Sequence, residues 1–222
     1  MQTTRTLRPR RARAAGPRAP HPGERLHVYE RGNSFLHKER SEVDDLIDRF
    51  HDDPVVQATC RRIRQAAAEF LEEFVVHYGD GRFGRGYRAK RPIPDGTDIA
   101  FYTGRLEKKG HVSGCHQISI GLTELGHRLE VDGTPPSDRP LPIGSMQLVG
   151  HSCTPNCVTA HVETESTLEL VILRTNRVIT IREGVGEEIT FSYGGSFWRS
   201  ESALRGAADQ MRVRKTVSAR LC

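Results

Sequence analysis

The sequence predicts a mostly β, α+β protein, and three observations carry that prediction. After residue 81, short segments rich in β-branched and aromatic residues recur near period two, over 97–103, 116–120, 128–132, 157–163, 167–173, 178–182 and 187–193. Turn-forming residues separate them at Asp95-Gly96, Gly110, Asp132-Gly133, Pro135-Pro136, Asn176 and Glu183-Gly184. Helical periodicity is confined to residues 41–78. Many short strands with so little helix imply small curled sheets rather than an α/β layer.

Each part of the chain has its own reason. Residues 1–40 are rich in Arg, Ala, Pro and Gly, with Pro9, Pro17, Pro20 and Pro22 breaking any helix, and they read as a disordered basic tail. Residues 41–78 read as a helical N-terminal element. Ser41 with Asp44 has the polar start of a helix, and Val43, Leu46, Ile47 and Phe50 follow at helical spacing. Asp53-Pro54 is an N-cap followed by proline at the first helical position. From there Val55, Val56, Ile63, Ala67, Phe70, Leu71, Phe74 and Val75 form one apolar stripe, which predicts a second helix running to the Gly79-Asp80-Gly81 break. The strand-rich domain spans 79–199, and a tail or helix of 200–222 ends the chain.

Charge is unevenly placed. The chain of 222 residues has a formal net charge of +5. Residues 1–25 hold seven arginines against Glu24 alone, so the remainder is close to neutral. A basic nucleic-acid-binding face on the folded part is therefore not expected. The Arg-rich segment reads first as a solvated tail, second as a nuclear-import or nucleic-acid-touching arm, and third as an organellar transit segment. No apolar run reaches the ~18 residues a membrane helix needs, so no membrane association is expected. Lack of an apolar secretory core favours a reducing, intracellular setting. Cys60, Cys115, Cys153, Cys157 and Cys222 form no paired framework, and Cys153 with Cys157 are expected to be buried free thiols rather than metal ligands.

Two segments carry the chemistry. The first is Gly150-His151-Ser152-Cys153-Thr154-Pro155-Asn156-Cys157; the second is Gly186-Glu187-Glu188-Ile189-Thr190-Phe191-Ser192-Tyr193-Gly194. Upstream, Gly84-Arg85-Gly86 is followed by Ala89, Ile93, Gly96, Ile99, Tyr102 and Gly104. In this order and spacing they resemble the SET domain, the fold of protein-lysine methyltransferases. The resemblance covers about half the chain and implies small curled sheets with a C-terminal pseudoknot, in which the second segment forms a loop threaded by the first.

The same resemblance implies the site. Gly84, Arg85 and Gly86 would lie along S-adenosylmethionine. His151 would meet its adenine through the main chain. Gly150 stands where the family has an Asn that bonds the cofactor's amino-acid end, which removes one hydrogen bond to a charged group, worth about 1.5–3 kcal/mol. A water or Gln147 would have to fill that gap. Trp198, or Phe197, would cover the adenine. Tyr193 would be the catalytic tyrosine that orients the lysine amine, and Tyr102 would line the lysine channel beside it. Phe191 occupies the channel position that implies capacity for more than one methyl. The family's zinc-binding cysteines beyond the core have no counterpart here, so no metal is expected, and Ser200–Arg212 is a possible lid.

The implied function is methyl transfer from S-adenosylmethionine to a protein lysine ε-amine. A histone tail in the nucleus is the first candidate substrate; cytoplasmic and organellar settings remain open. Residues 160–190 are net acidic, which suits a basic peptide but equally a solvated strand face. Two rivals also remain: a weak or inactive SET module that binds a protein partner, motivated by Gly150, and a nucleic-acid adaptor acting through the Arg tail.

Overall fold

A computed structural model describes residues 25–77, 83–111, 117–122, 128–134 and 141–194. The first strand, β1 (Tyr29–Arg31), lies in the region read from sequence as tail. That expectation is corrected for residues 25–40. Leu26, Val28, Tyr29 and Phe35 are buried, and β1 pairs in parallel with β5 (Gly104–Lys108). The neighbouring arginines and prolines masked four apolar residues that join the core. Residues 1–24 lie outside the described residues.

His51 holds this segment down. Its Nε2 accepts the backbone N–H groups of Val28 at 3.0 Å and Tyr29 at 3.2 Å. An acceptor there must be unprotonated, and burial, with His27 and Arg25 adding to it, pushes the imidazole pKa down to about 4. In the unfolded chain the ring titrates near 6.5. The unfolded state therefore takes up the proton first as pH falls. Stability is complete above about 6.5 and is lost between there and about 4, by roughly 3 kcal/mol in all. Thermal melts across this window are expected to show that fall, and His51→Gln is expected to flatten it.

Two helices follow, α1 (Arg40–Asp52) and α2 (Pro54–Phe70). Asp53 caps α2 as its sequence predicts, with Oδ1 accepting from Val55 N at 2.7 Å and Val56 N at 3.3 Å. Ser41 is not a cap, since α1 starts at Arg40 after a short 3-10 turn at His37–Glu39. Val43, Leu46, Ile47 and Phe50 of α1 and Val56, Cys60, Ile63 and Ala67 of α2 are buried. The predicted stripe through Val75 ends earlier. Leu71–His77 is strand β2, paired antiparallel with β3 (Phe83–Ala89). An apolar residue every third or fourth position cannot distinguish these states when a partner strand lies close in the chain.

The remaining strands form small sheets. β5, β6 (Gln117–Leu122) and β7 (Arg128–Asp132) join β1 in the order β1-β5-β7-β6. β4 (Asp98–Phe101), β9 (Cys157–Val162) and β10 (Leu170–Thr175) form a second sheet, order β4-β10-β9. Its central strand buries Leu170, Val171, Ile172 and Leu173 together, and α2 packs on β4. β10 starts three residues later than predicted, because Thr164 Oγ1 donates to Leu168 O at 2.7 Å and holds 164–168 in a turn. Among the described residues, three two-stranded units accompany these sheets: β2-β3, β11 (Ile181–Arg182) with β12 (Val185–Gly186), and β8 (Gly150–His151) with β13 (Thr190–Phe191). The protein is thus mostly β with a helical element packed on it.

Candidate active site

The last pair brings distant segments together. β13 runs parallel to β8, with Thr190 opposite Gly150 and Phe191 opposite His151. Ser152 N extends the pairing to Phe191 O at 3.2 Å. Just upstream, the same C-terminal segment is stitched to β3: Ala89 N donates to Glu187 O at 3.0 Å and Ile189 N to Tyr87 O at 2.8 Å. One extended stretch therefore touches both the strand carrying Gly84, Arg85 and Gly86 and the strand carrying Gly150 and His151.

Asn156 locks the crossing. It is buried, its Nδ2 donates to Glu188 O at 2.8 Å, and its Oδ1 accepts from Thr190 N at 2.9 Å. Asn156→Ala leaves both backbone groups without this partner and is expected to lower unfolding free energy by about 2–6 kcal/mol, read by denaturant titration. Asn156→Asp keeps the acceptor but sets a buried carboxylate oxygen against the Glu188 carbonyl, and is expected to cost at least as much at neutral pH.

Tyr193 sits at the end of the crossing. Its hydroxyl donates to Val149 O at 2.7 Å, and its backbone N–H donates to His151 Nδ1 at 3.1 Å. His151 packs against the Tyr193 ring with centroids 5.3 Å apart, and Phe191 packs against it at 4.8 Å. Because Nδ1 accepts, the His151 proton resides on Nε2. Burial lowers the His151 pKa, which favours this neutral form. Cys157 is buried, and burial pushes its thiol up to about 12. The expectation of a buried Cys153 is corrected: the residue is exposed, with Sγ 3.7 Å from His151 Nε2. Cys153 lies in the bend between β8 and β9, where solvent reaches its thiol.

Tyr102 follows β4, is buried, and is fixed by its N–H to Val171 O at 2.9 Å. Its ring and Gln147 converge on Gly133, where a Cβ would come within 2.6 Å of the ring. The Gln147 amide nitrogen donates to the Thr103 carbonyl and, at 2.9 Å, to Thr103 Oγ1. Gln147 is therefore engaged beside Tyr102 and does not fill the gap at Gly150. Arg85 is exposed and its guanidinium pairs with Glu73 across the β2-β3 ladder, one contact being 2.8 Å. Trp198, Phe197, the 200–212 segment, Cys115 and Cys222 lie outside the described residues.

Sequence reasoning did not find Val149, whose carbonyl anchors the Tyr193 hydroxyl, or Glu188, whose Oε1 lies 3.0 Å from where a Cβ on residue 150 would stand. It also missed Gly186, where a Cβ would fall 1.7 Å from Ala89 O. None of the three has a sequence signal beyond its place, Val149 just before the first segment and Gly186 and Glu188 within the second, because each role depends on the crossing.

Residues 84–194, half of the chain, match the SET domain family. The chain belongs to the SET-domain family, whose methyltransferases use S-adenosylmethionine. Among solved structures it is similar to KRYPTONITE in complex with mCHH DNA, an H3(1-15) peptide and SAH, with a TM-score of 0.40 and 20% identity. That likeness covers 56% of this chain and 23% of the length of that one. A search of curated proteins found no match.

Proposed function

We propose that this protein transfers a methyl group from S-adenosylmethionine to the ε-amine of a protein lysine. The observation that carries the reading is the Tyr193 anchorage, hydroxyl on Val149 and N–H on His151, at the point where the two signature segments pair. S-adenosylmethionine supplies an electrophilic methyl on a sulfonium. The main chain of Gly84–Gly86 and of Gly150–His151 binds it, and glycine at these positions permits close backbone approach.

The chain's own task is to present a neutral amine in line with that methyl. An unperturbed Lys has a pKa of about 10.4, so the charged form must be disfavoured at the reacting end. With its proton donated to Val149, the Tyr193 hydroxyl acts through its oxygen lone pairs and accepts an amine N–H, which fixes the direction of the nitrogen lone pair. The buried Tyr102 ring is the aromatic wall of the channel; such a face tolerates an ammonium and a methylated amine alike. Phe191 beside Tyr193 brings no further hydroxyl into this space.

Exposed Glu163, Glu165 and Glu183 favour a lysine within a basic peptide, and a histone tail in the nucleus is the first target to try. Incubation with tritiated methyl donor, core histones and cell extract is expected to place label on lysine. Donor binding without any label on lysine would instead make the protein a binding module.

A further inference from the structure

Glu188 is a carboxylate in an unusual place. Its backbone is fixed twice, by the antiparallel bridge to Arg88 on β3 and by Asn156 Nδ2 donating to its carbonyl at 2.8 Å. Its side chain leans across the crossing, so that Oε1 lies 3.0 Å from where a Cβ on residue 150 would stand. The carboxylate thus holds the volume that a side chain at position 150 would enter, and the absence of one at Gly150 is what lets it do so. Among the described residues this carboxylate makes no hydrogen bond. It is open to solvent on one side and partly enclosed on the other. The enclosure raises its pKa, and Arg88 opposes the rise. By contrast its neighbour Glu187 is fully engaged, with Arg177 at 2.6 Å and Thr180 N at 3.0 Å.

A carboxylate carried on a fixed backbone beside a glycine gap, with no hydrogen bond to it among the described residues, is a receptor for a cation with N–H groups. Besides the sulfonium, which has no N–H, two cationic groups enter the proposed reaction: the lysine and the α-ammonium of the methyl donor. The lysine must arrive neutral, and a nearby carboxylate would raise its pKa and keep it protonated. The tyrosine that meets the amine is anchored to Val149. Glu188 instead faces Gly150 and is bridged to β3, the glycine-bearing strand. We propose that the Glu188 carboxylate binds the α-ammonium of the methyl donor, through the opening left by Gly150. The assignment rests on the methyl-transfer reading above.

Calorimetric titration of the full chain with two probes tests it. One is S-adenosylhomocysteine; the other is its analogue with hydrogen in place of the α-ammonium. The wild-type protein is expected to prefer the ammonium-bearing probe by about ten- to a hundredfold, the range for a hydrogen bond between charged groups. Glu188→Gln is expected to shrink the preference to about threefold or less while leaving the deaminated probe's affinity unchanged. Gly150→Ala, whose methyl would press on Oε1, is expected to reduce the preference as well. A wild-type protein that binds both probes equally overturns the role of Glu188 and leaves the methyl-transfer reading standing, and so does a Glu188→Gln protein that still discriminates. A wild-type protein that binds neither probe overturns both.

Discussion

Tyr193→Phe is expected to lose at least a hundredfold in kcat for methyl transfer while its Kd for S-adenosylmethionine stays within about twofold, the scale set by removing one preorganised polar group from a reacting centre. The ring keeps its contacts with His151 at 5.3 Å and Phe191 at 4.8 Å, so the aromatic cluster at the crossing survives. The backbone N–H to His151 Nδ1 also survives, since the substitution does not touch it. Only the hydroxyl on Val149 is removed, and with it the acceptor that aims the incoming amine. Loss of geometry at the reacting atoms appears in kcat rather than in cofactor binding. Steady-state kinetics with calorimetry separates the two. A variant that turns over within tenfold of wild type would remove Tyr193 from the mechanism.

Gly186→Ala is expected to lower stability by more than about 4 kcal/mol or to prevent folding. The added Cβ would lie 1.7 Å from Ala89 O, 2.7 Å from Ala89 C and 3.0 Å from Ala89 N, all backbone atoms of β3. A side chain could rotate away, but this strand edge cannot without breaking Ala89 N to Glu187 O and Ile189 N to Tyr87 O. Those bonds carry the C-terminal segment from β3 to β8, so the variant that retains any fold should also bind no cofactor. Gly184→Ala, two residues earlier, is the control for position alone: φ there is +79°, yet a Cβ would meet no atom within 4 Å. It is expected to cost only the modest strain of a positive φ, about 1–2 kcal/mol. Equal losses in the two variants would show that the close approach at Gly186 is not what holds the segments together.

Much of this was legible before any coordinates. The Asp53-Pro54 start of α2 is local chemistry, a side-chain oxygen with two backbone donors within reach, and the sequence displays it directly. Most strands with alternating β-branched residues fell within a few residues of their places. What failed depended on partners far away in the chain. Residues 71–75 continue a helical stripe in apolar spacing, and only the ladder to β3 makes them a strand. Leu26, Val28 and Tyr29 look like part of an Arg-rich tail until β5 is available for pairing. At the site, the motif residues were readable through the family resemblance, and the crossing they imply is present. Glu188 was not readable as a ligand, because its meaning comes from the empty side-chain position at Gly150, 38 residues away in sequence and 3.0 Å away in space. A missing side chain looked like a loss; the structure fills its place with a charge.

The central claim is that the crossing of 149–157 with 187–193, together with β3, forms one cofactor site. Backbone hydrogen exchange, with and without S-adenosylhomocysteine, tests it most directly. The account predicts that amides of 84–86, 150–152 and 190–193 gain protection together on ligand addition. Protection confined to one of these segments, or found only elsewhere in the chain, would contradict it.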